Sequence, residues 1–173
     1  IASITDAAGN IVRFEYDQYG NVISYTDALS HKTRYAYDIM NRLISQTDAL
    51  GNTTAISYDK AGRIVRMYDA QNHITVFSFD ALGHILTLTN PAGGVYKYTY
   101  DGKGNVLTAT DPLGITNTFT YNDLNKLLSQ TNGEGETTSY DYDAKGNLTS
   151  VFQANGNTIT YTYDALDRVT QIA

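Results

Sequence analysis

The chain has 173 residues with a formal net charge of -6, and 42% of its residues are apolar. Its 15 Tyr and 5 Phe exclude intrinsic disorder, because disordered chains are poor in aromatic residues. The absence of Cys excludes a disulfide framework, a zinc–thiolate site and a cysteine nucleophile. The acidic balance argues against a nucleic-acid partner, and no apolar run reaches the ~20 residues that a membrane helix needs.

A 21-residue repeat extends from residue 6 to residue 173, in eight copies without an insertion. Repeat positions carry the residue numbers of the first copy, residues 6–26. Position 16 is aromatic in every copy, position 17 is Asp or Asn, and position 20 is Gly, Asn or Asp, the types that most readily accept a left-handed backbone. The residues that define this turn and its aromatic row are Tyr16, Asp17, Gly20, Tyr37, Asp38, Tyr58, Asp59, Gly62, Phe79, Asp80, Gly83, Tyr100, Asp101, Gly104, Tyr121, Tyr142, Asp143, Gly146, Tyr163 and Asp164.

Each repeat contains a second turn signal at positions 6 to 9, as in Asp6–Gly9 and Asp48–Gly51. An Asp or Asn followed three residues later by Gly is typical of a type I turn that a left-handed residue closes. Seven residues and then six separate successive turns, which gives each interval the length of one strand. The sequence therefore predicts two strands and two turns per repeat, with no helix.

The strand residues indicate two different faces. Positions 14 and 16 are aromatic apart from Ile56, position 15 between them is small or polar, as at Ser78 and Thr99, and position 22 is always apolar. Because residues two apart share one face of a strand, the aromatic side chains should form two adjacent rows along the sheet. The pattern leaves open whether the aromatic rows lie on the buried or on the presented face of the sheet.

The number of strands sets the expected architecture. Twisted open sheets rarely exceed ~10 strands without curling, and identical turns make every hairpin add the same rotation. We therefore expect an all-β fold in which eight 21-residue hairpin repeats form a curved antiparallel sheet over residues 1–173, with no internal domain boundary. Neither end resembles a polar cap, so the open edges of an isolated chain should favour self-association.

Two segments carry a family resemblance: Tyr58-Asp-Lys-Ala-Gly-Arg-Ile64 and Tyr142-Asp-Ala-Lys-Gly-Asn-Leu148. They are similar to the YD repeat of the rearrangement-hotspot (Rhs) proteins, and the resemblance covers the whole chain. It implies a segment of a hollow spiral β-shell. Such shells occur in bacterial polymorphic toxins, in the B/C components of insecticidal toxin complexes and in teneurins.

Three features resemble sites of chemistry. The chain has 15 Asp but only 3 Glu, which would suit paired catalytic carboxylates or calcium, yet twelve of the Asp fall at turn positions where a carboxylate caps the backbone. Asp111-Pro112-Leu113-Gly114 is similar to the Asp-Pro-x-Gly motif at which Rhs proteins cleave themselves, but it occupies the ordinary second-turn positions. His31, His73 and His84 flank turns without other metal ligands nearby. We expect no catalytic residue, no metal site and no cofactor.

The resemblance implies a non-catalytic structural wall that sequesters a C-terminal toxin domain for delivery. The expected partners are the remainder of the shell and the enclosed toxin, and the expected location is secreted or at the surface, delivered by a bacterial secretion system. The alternative is an adhesion or carbohydrate-binding module, because exposed Tyr rings stack on sugars. If the aromatic face lines the shell, its tyrosines, including Tyr98, Tyr100, Tyr140 and Tyr142, would also hold a partly unfolded cargo.

Overall fold

The computed structural model describes residues 2–173 and contains 17 β-strands. The long strand of each repeat has six residues and the short strand five, except that the first and last strands have four. No α-helix occurs in the described residues. The prediction of an all-β fold with two strands per repeat is confirmed. Tight turns every ten or eleven residues leave no room for helical hydrogen bonding.

The strands belong to two compact units, residues 2–78 with 89–93 and residues 79–88 with 94–173. In chain order, strands β1 to β8 are Ala2–Thr5, Ile11–Tyr16, Val22–Thr26, Lys32–Tyr37, Leu43–Thr47, Thr53–Tyr58, Ile64–Tyr68 and Ile74–Phe79. The strands β9 to β17 are Ile85–Thr89, Val95–Tyr100, Val106–Thr110, Thr116–Tyr121, Leu127–Thr131, Thr137–Tyr142, Leu148–Phe152, Thr158–Tyr163 and Val169–Ile172. Consecutive strands pair antiparallel from β1 to β8 and from β10 to β17.

Two kinds of strand pairing alternate along the sheet. Within a repeat, the long strand pairs with the following short strand through a bulge, as where Thr99 faces Thr108 but Tyr100 faces Val106. The residue skipped by this register is Leu107, at repeat position 23. Between repeats, the pairing is regular and shorter, with three residue pairs. The bulge recurs at the same place in every repeat hairpin whose register is given, so each repeat adds the same local distortion.

Every turn is closed by a residue in the left-handed region. Gly104 has a φ of 87°, and in five turns the same conformation is adopted by a residue other than glycine. Those five residues are Ser30, Asn41, Asn72, Asn125 and Asp167, with φ between 60° and 70°. The backbone hydrogen bonds of the Asp101 turn are those of a type I turn followed by a left-handed residue: Gly104 N donates to Asp101 O at 3.1 Å, and Asp101 N donates to Asn105 O at 2.9 Å.

The sheet is a single layer in each unit and forms no separate hydrophobic core. Among residues 2–173, no apolar side chain is fully buried, and Ser24 is the one buried residue. The solvent-accessible surface is 11403 Å², whereas a compact protein of this mass exposes about 8,400 Å². Stability must therefore come from the ladders, the turns and side-chain contacts along each face.

Candidate functional site

The Asp at position 17 organises each turn through both carboxylate oxygens. In the fifth repeat, Asp101 Oδ1 accepts hydrogen bonds from the backbone N–H groups of Lys103 and Asn105, each at 2.9 Å. Its Oδ2 accepts a third bond from Asn105 Nδ2 at 2.8 Å. One side chain thus closes the turn and fixes the residue that precedes the next strand.

The two Oδ1 bonds recur at the second turns, where Asp6, Asp48 and Asp111 cap their own loops. Asn122 replaces the Asp and retains the backbone cap, because its Oδ1 accepts from Leu124 N at 2.9 Å and Lys126 N at 3.0 Å. The twelve turn-position Asp residues are therefore explained by capping, as the sequence indicates.

Capping lowers the pKa of turn carboxyl groups such as those of Asp101 and Asp38. The pKa of Asp101 is lowered from its usual value of 3.8, mainly by the side chain and then the backbone N–H of Asn105. The pKa of Asp38 is lowered first by the Arg42 side chain, whose Nε donates to Oδ2 at 2.7 Å. Each ionised carboxylate is thus favoured in the folded turn, and protonation removes an acceptor that the turn uses.

In five of the described repeats, the Tyr at position 16 connects its repeat to the repeat before it. Its hydroxyl donates to the backbone carbonyl of the residue 15 positions earlier, at repeat position 22. The donor–acceptor pairs are Tyr37–Val22 at 3.0 Å, Tyr58–Leu43 at 2.8 Å, Tyr100–Ile85 at 2.8 Å, Tyr142–Leu127 at 2.9 Å and Tyr163–Leu148 at 2.7 Å. These bonds account for the Tyr of the Tyr–Asp pair, because Phe cannot make them.

The register explains why that carbonyl accepts a side chain. The β13–β14 ladder ends where Ser129 faces Ser139, so Leu127 lies beyond its last pair. The Tyr142 hydroxyl supplies the donor there, and burial raises the pKa of Tyr142 above 10.0. The tyrosine therefore extends the contact between two repeats past the point where backbone pairing stops.

Aromatic side chains meet on the same face. The Phe14 ring lies 5.3 Å from that of Tyr25 and 6.4 Å from that of Tyr16. These distances are typical of aromatic pairs in contact. Such contacts cover the face in part, and Tyr16 remains 44% exposed.

The motifs that resemble sites of chemistry are turn elements. Asp111 caps the backbone N–H groups of Leu113 and Ile115, as its counterparts do in other repeats. Nδ1 of each of His31, His73 and His84 lies 2.8–2.9 Å from the Asp four residues earlier. Among residues 2–173, no group of three or more His, Asp or Glu side chains is arranged to hold a metal ion.

Sequence reasoning missed three residue roles. It gave His31, His73 and His84 no role beyond flanking a turn, whereas each contacts the second oxygen of its turn Asp. It did not identify the acceptor of the tyrosine hydroxyl or the bulge at position 23. A side-chain donor four residues after every turn Asp except Asp111 is visible in the sequence and could have indicated the first role.

Replacement of Tyr142 by Phe tests the connection between repeats. We expect Tyr142→Phe to lower the free energy of unfolding by about 1 kcal/mol, because the Leu127 carbonyl loses its donor. Urea unfolding followed by circular dichroism measures the change. Tyr121→Phe is the matched control, since the Tyr121 hydroxyl makes no hydrogen bond within residues 2–173, and it should change stability by less than about 0.5 kcal/mol. Equal losses in both variants would contradict the assigned role.

The lowered carboxyl pKa values predict acid sensitivity. A carboxyl group whose pKa is lower when folded than when unfolded stabilises the fold above the unfolded value, and this contribution disappears as the pH falls through the folded value. The urea midpoint should thus be steady above about pH 5 and fall progressively below the usual Asp value of 3.8.

Asp101→Asn isolates one contribution to this acid sensitivity. The variant keeps an Oδ1 acceptor, as Asn122 does naturally, but loses the ionisable oxygen that accepts from Asn105. Its urea midpoint should lie below that of the parent chain at pH 7 and approach it at pH 3. A difference that did not change with pH would contradict the assignment.

The described residues include no helical segment that could span a membrane. No curated protein sequence matches the chain significantly. The fold is similar to part of the Photorhabdus luminescens Tc holotoxin pore, with a TM-score of 0.71, 21% identity, and coverage of 93% of this chain and 10% of that one. A TcdB2–TccC3–Cdc42 crystal structure gives a TM-score of 0.72 at 21% identity, with 92% and 10% of the respective chains covered. The chain thus spans about a tenth of the length of these structures.

The family comparison agrees with the turn and tyrosine geometry. The teneurin YD-shell family matches residues 2–123, and the RHS repeat family matches residues 121–151 and 142–173. Together these matches extend over all the repeats, and they confirm the resemblance that the Tyr–Asp turns indicate. The chain belongs to the YD-shell and RHS-repeat family, a family of structural shell repeats.

Proposed function

We propose that the chain is a non-catalytic segment of the wall of an Rhs-type shell, with residues 1–173 acting as one repeat segment. In this proposal the complete protein encloses a C-terminal toxin domain, is secreted or displayed by a bacterium, and acts against competing cells. The observation that carries the proposal is a repeated sheet with no fully buried apolar side chain among residues 2–173. A wall between two compartments needs continuity rather than a globular core.

The two faces of the sheet support this role because their chemistry differs. On one face, hydroxyl pairs cross the strands, with Thr99 and Thr108 Oγ1 atoms 2.6 Å apart and Thr120 Oγ1 2.6 Å from Ser129 Oγ. The adjacent residue Tyr98 projects to the opposite face, since neighbouring residues of a strand alternate. A thin wall with one hydroxyl-rich face and one aromatic face presents different surfaces to its inside and outside.

Limited proteolysis of the full-length gene product tests the enclosure. We expect a C-terminal fragment to resist protease under native conditions, to remain associated with the repeats, and to become sensitive after denaturation. Mass spectrometry of the retained fragments identifies the segment. The same segment expressed without the repeats is the control and should be digested under native conditions.

Rapid native digestion of everything outside the repeats would contradict the enclosure. That outcome would favour the alternative of a carbohydrate-binding module. A shallow hollow of about 210 Å³ lined by Tyr96, Tyr98, Asp111 and Asn117 among others has the aromatic and polar groups that bind sugars. Glycan binding would then be measured with Tyr98→Ala as the variant.

The wall proposal also predicts self-association of the isolated 173-residue chain. β1 pairs with β2 and β17 pairs with β16, and every described residue of β1 and β17 is exposed. We expect light scattering to show a mass that rises with concentration as these end strands pair with other copies. Thr170→Lys with Gln171→Lys should reduce the association, because charge on an edge strand opposes pairing. A parent chain that stayed monomeric would contradict this prediction.

A further inference from the structure

In several turns, the residue after the left-handed position contacts the next repeat. In the first unit, Asn21 Nδ2 donates to Oδ2 of its own Asp17 and to Oδ1 of Asn41 in the following repeat, both at 2.9 Å. Asn41 is the left-handed residue of its turn, with a φ of 61°. One side-chain amide therefore uses its two hydrogens to connect two successive turns.

The same bridge occurs twice in the second unit. Asn105 Nδ2 donates to Asp101 Oδ2 at 2.8 Å and to Asn125 Oδ1 at 3.0 Å. Asn147 Nδ2 donates at 3.0 Å to Asp167 Oδ1 in the following repeat. A left-handed residue other than glycine has a steric cost, and in these turns it accepts a hydrogen bond from the repeat before it.

Arg and His side chains at position 21 contact the next turn differently from Asn: they lie on an aromatic ring and beside a glycine. The Arg42 guanidinium lies 4.4 Å from the Tyr58 ring centroid and 3.5 Å from where a Cβ would stand on Gly62. His84 stacks on Tyr100 with ring centroids 4.7 Å apart, and its Nε2 is 2.8 Å from the corresponding point on Gly104. A contact of 2.8 Å is shorter than a real Cβ tolerates, so a side chain at residue 104 would have to displace the His84 ring from its position on Tyr100.

The sequence follows this division without exception. The Asn residues at position 21 precede Asn41, Asn125 and Asp167, whereas Arg42, Arg63, His84 and Lys126 precede Gly62, Gly83, Gly104 and Gly146. At the second turns, Asn10 precedes Ser30 and Asn52 precedes Asn72, and every other residue at position 10 that has a following repeat precedes glycine. All five left-handed residues other than glycine thus follow an Asn by 20 residues.

We propose that position 21 of one repeat and position 20 of the next form a matched pair that determines which repeats can be neighbours. An Asn accepts a neighbour with Asn or Asp at the left-handed position, and a large cationic or imidazole side chain accepts glycine. The partner that fits this surface is another YD repeat of the matching type. The inference concerns repeat order and does not depend on enclosure of a toxin.

In the last repeat, position 21 is Arg168, and no repeat follows it within residues 2–173. The side chain of Arg168 is 73% exposed, compared with 28% for Arg42, which has its neighbour in place. Arg168 nevertheless keeps its bond to Asp164, at 2.7 Å from Nε. The proposal assigns to this surface a repeat with glycine at the left-handed position.

A double-mutant cycle on His84 and Gly104 tests the pairing in the full chain. Gly104→Asn should reduce the folding equilibrium constant about tenfold more than Gly20→Asn does, because His84 occupies the space. Gly20 is the matched control, with the same φ of 87° and no atom within 4 Å of its Cβ position. The double variant His84→Asn with Gly104→Asn should recover most of the loss by forming the amide bridge seen at Asn105.

The readouts are the urea midpoint and hydrogen exchange at the Gly104 turn amides. If Gly104→Asn fails to fold, recovery of a folded chain in the double variant becomes the deciding measurement. Equal effects of Gly104→Asn and Gly20→Asn would overturn the proposal. The proposal would also be overturned if the double variant lost as much stability as the two single variants lose when their losses are added.

Discussion

The structure depends on one interaction, the capture of backbone N–H groups by the carboxylate that begins each turn. A type I turn followed by a left-handed residue brings two strands together with only four residues. Without the carboxylate, the N–H groups of the third and fifth residues would be left to solvent. Asp101 shows the complete arrangement, in which three donors converge on one side chain. Because this arrangement recurs in turn after turn, the succession of short antiparallel strands recurs as well.

A sheet without a buried core must obtain its cohesion from contacts between neighbours. The tyrosine hydroxyls supply part of it by bonding to carbonyls that the shorter ladder does not reach, as at Tyr142 and Leu127. The turn edge supplies another part, through Arg42 over Tyr58 and His84 on Tyr100. Each of these contacts joins adjacent repeats only, which is the energetic pattern of a quasi-one-dimensional repeat protein. Stability is then distributed along the chain and is not concentrated in one region.

Much of the fold could be predicted from the sequence because its signals are local. The turn Asp and the left-handed residue that closes the turn lie within four positions of each other in the sequence. The turns and the order of the strands therefore follow directly from the spacing of these residues. The tyrosine acceptor could not be predicted, because Leu127 reaches Tyr142 only through the register across a second turn. Ser30 also adopts a positive φ, which its residue type does not favour. The His84–Gly104 contact also could not be predicted from the sequence, because the two residues are 20 positions apart.

Contacts limited to adjacent repeats also constrain how a gene of this kind can change length. Unequal recombination between aligned repeats adds or removes a multiple of 21 codons, so it preserves the turns and the alternation of faces. It also creates a new junction, at which position 21 of one copy meets position 20 of a copy that was formerly distant. Removal of residues 90–110 would bring His84 beside Asn125, whereas removal of residues 48–68 would bring Arg42 beside Gly83. Only the second junction joins matching types, so deletions of equal length should differ in whether the shortened chain persists.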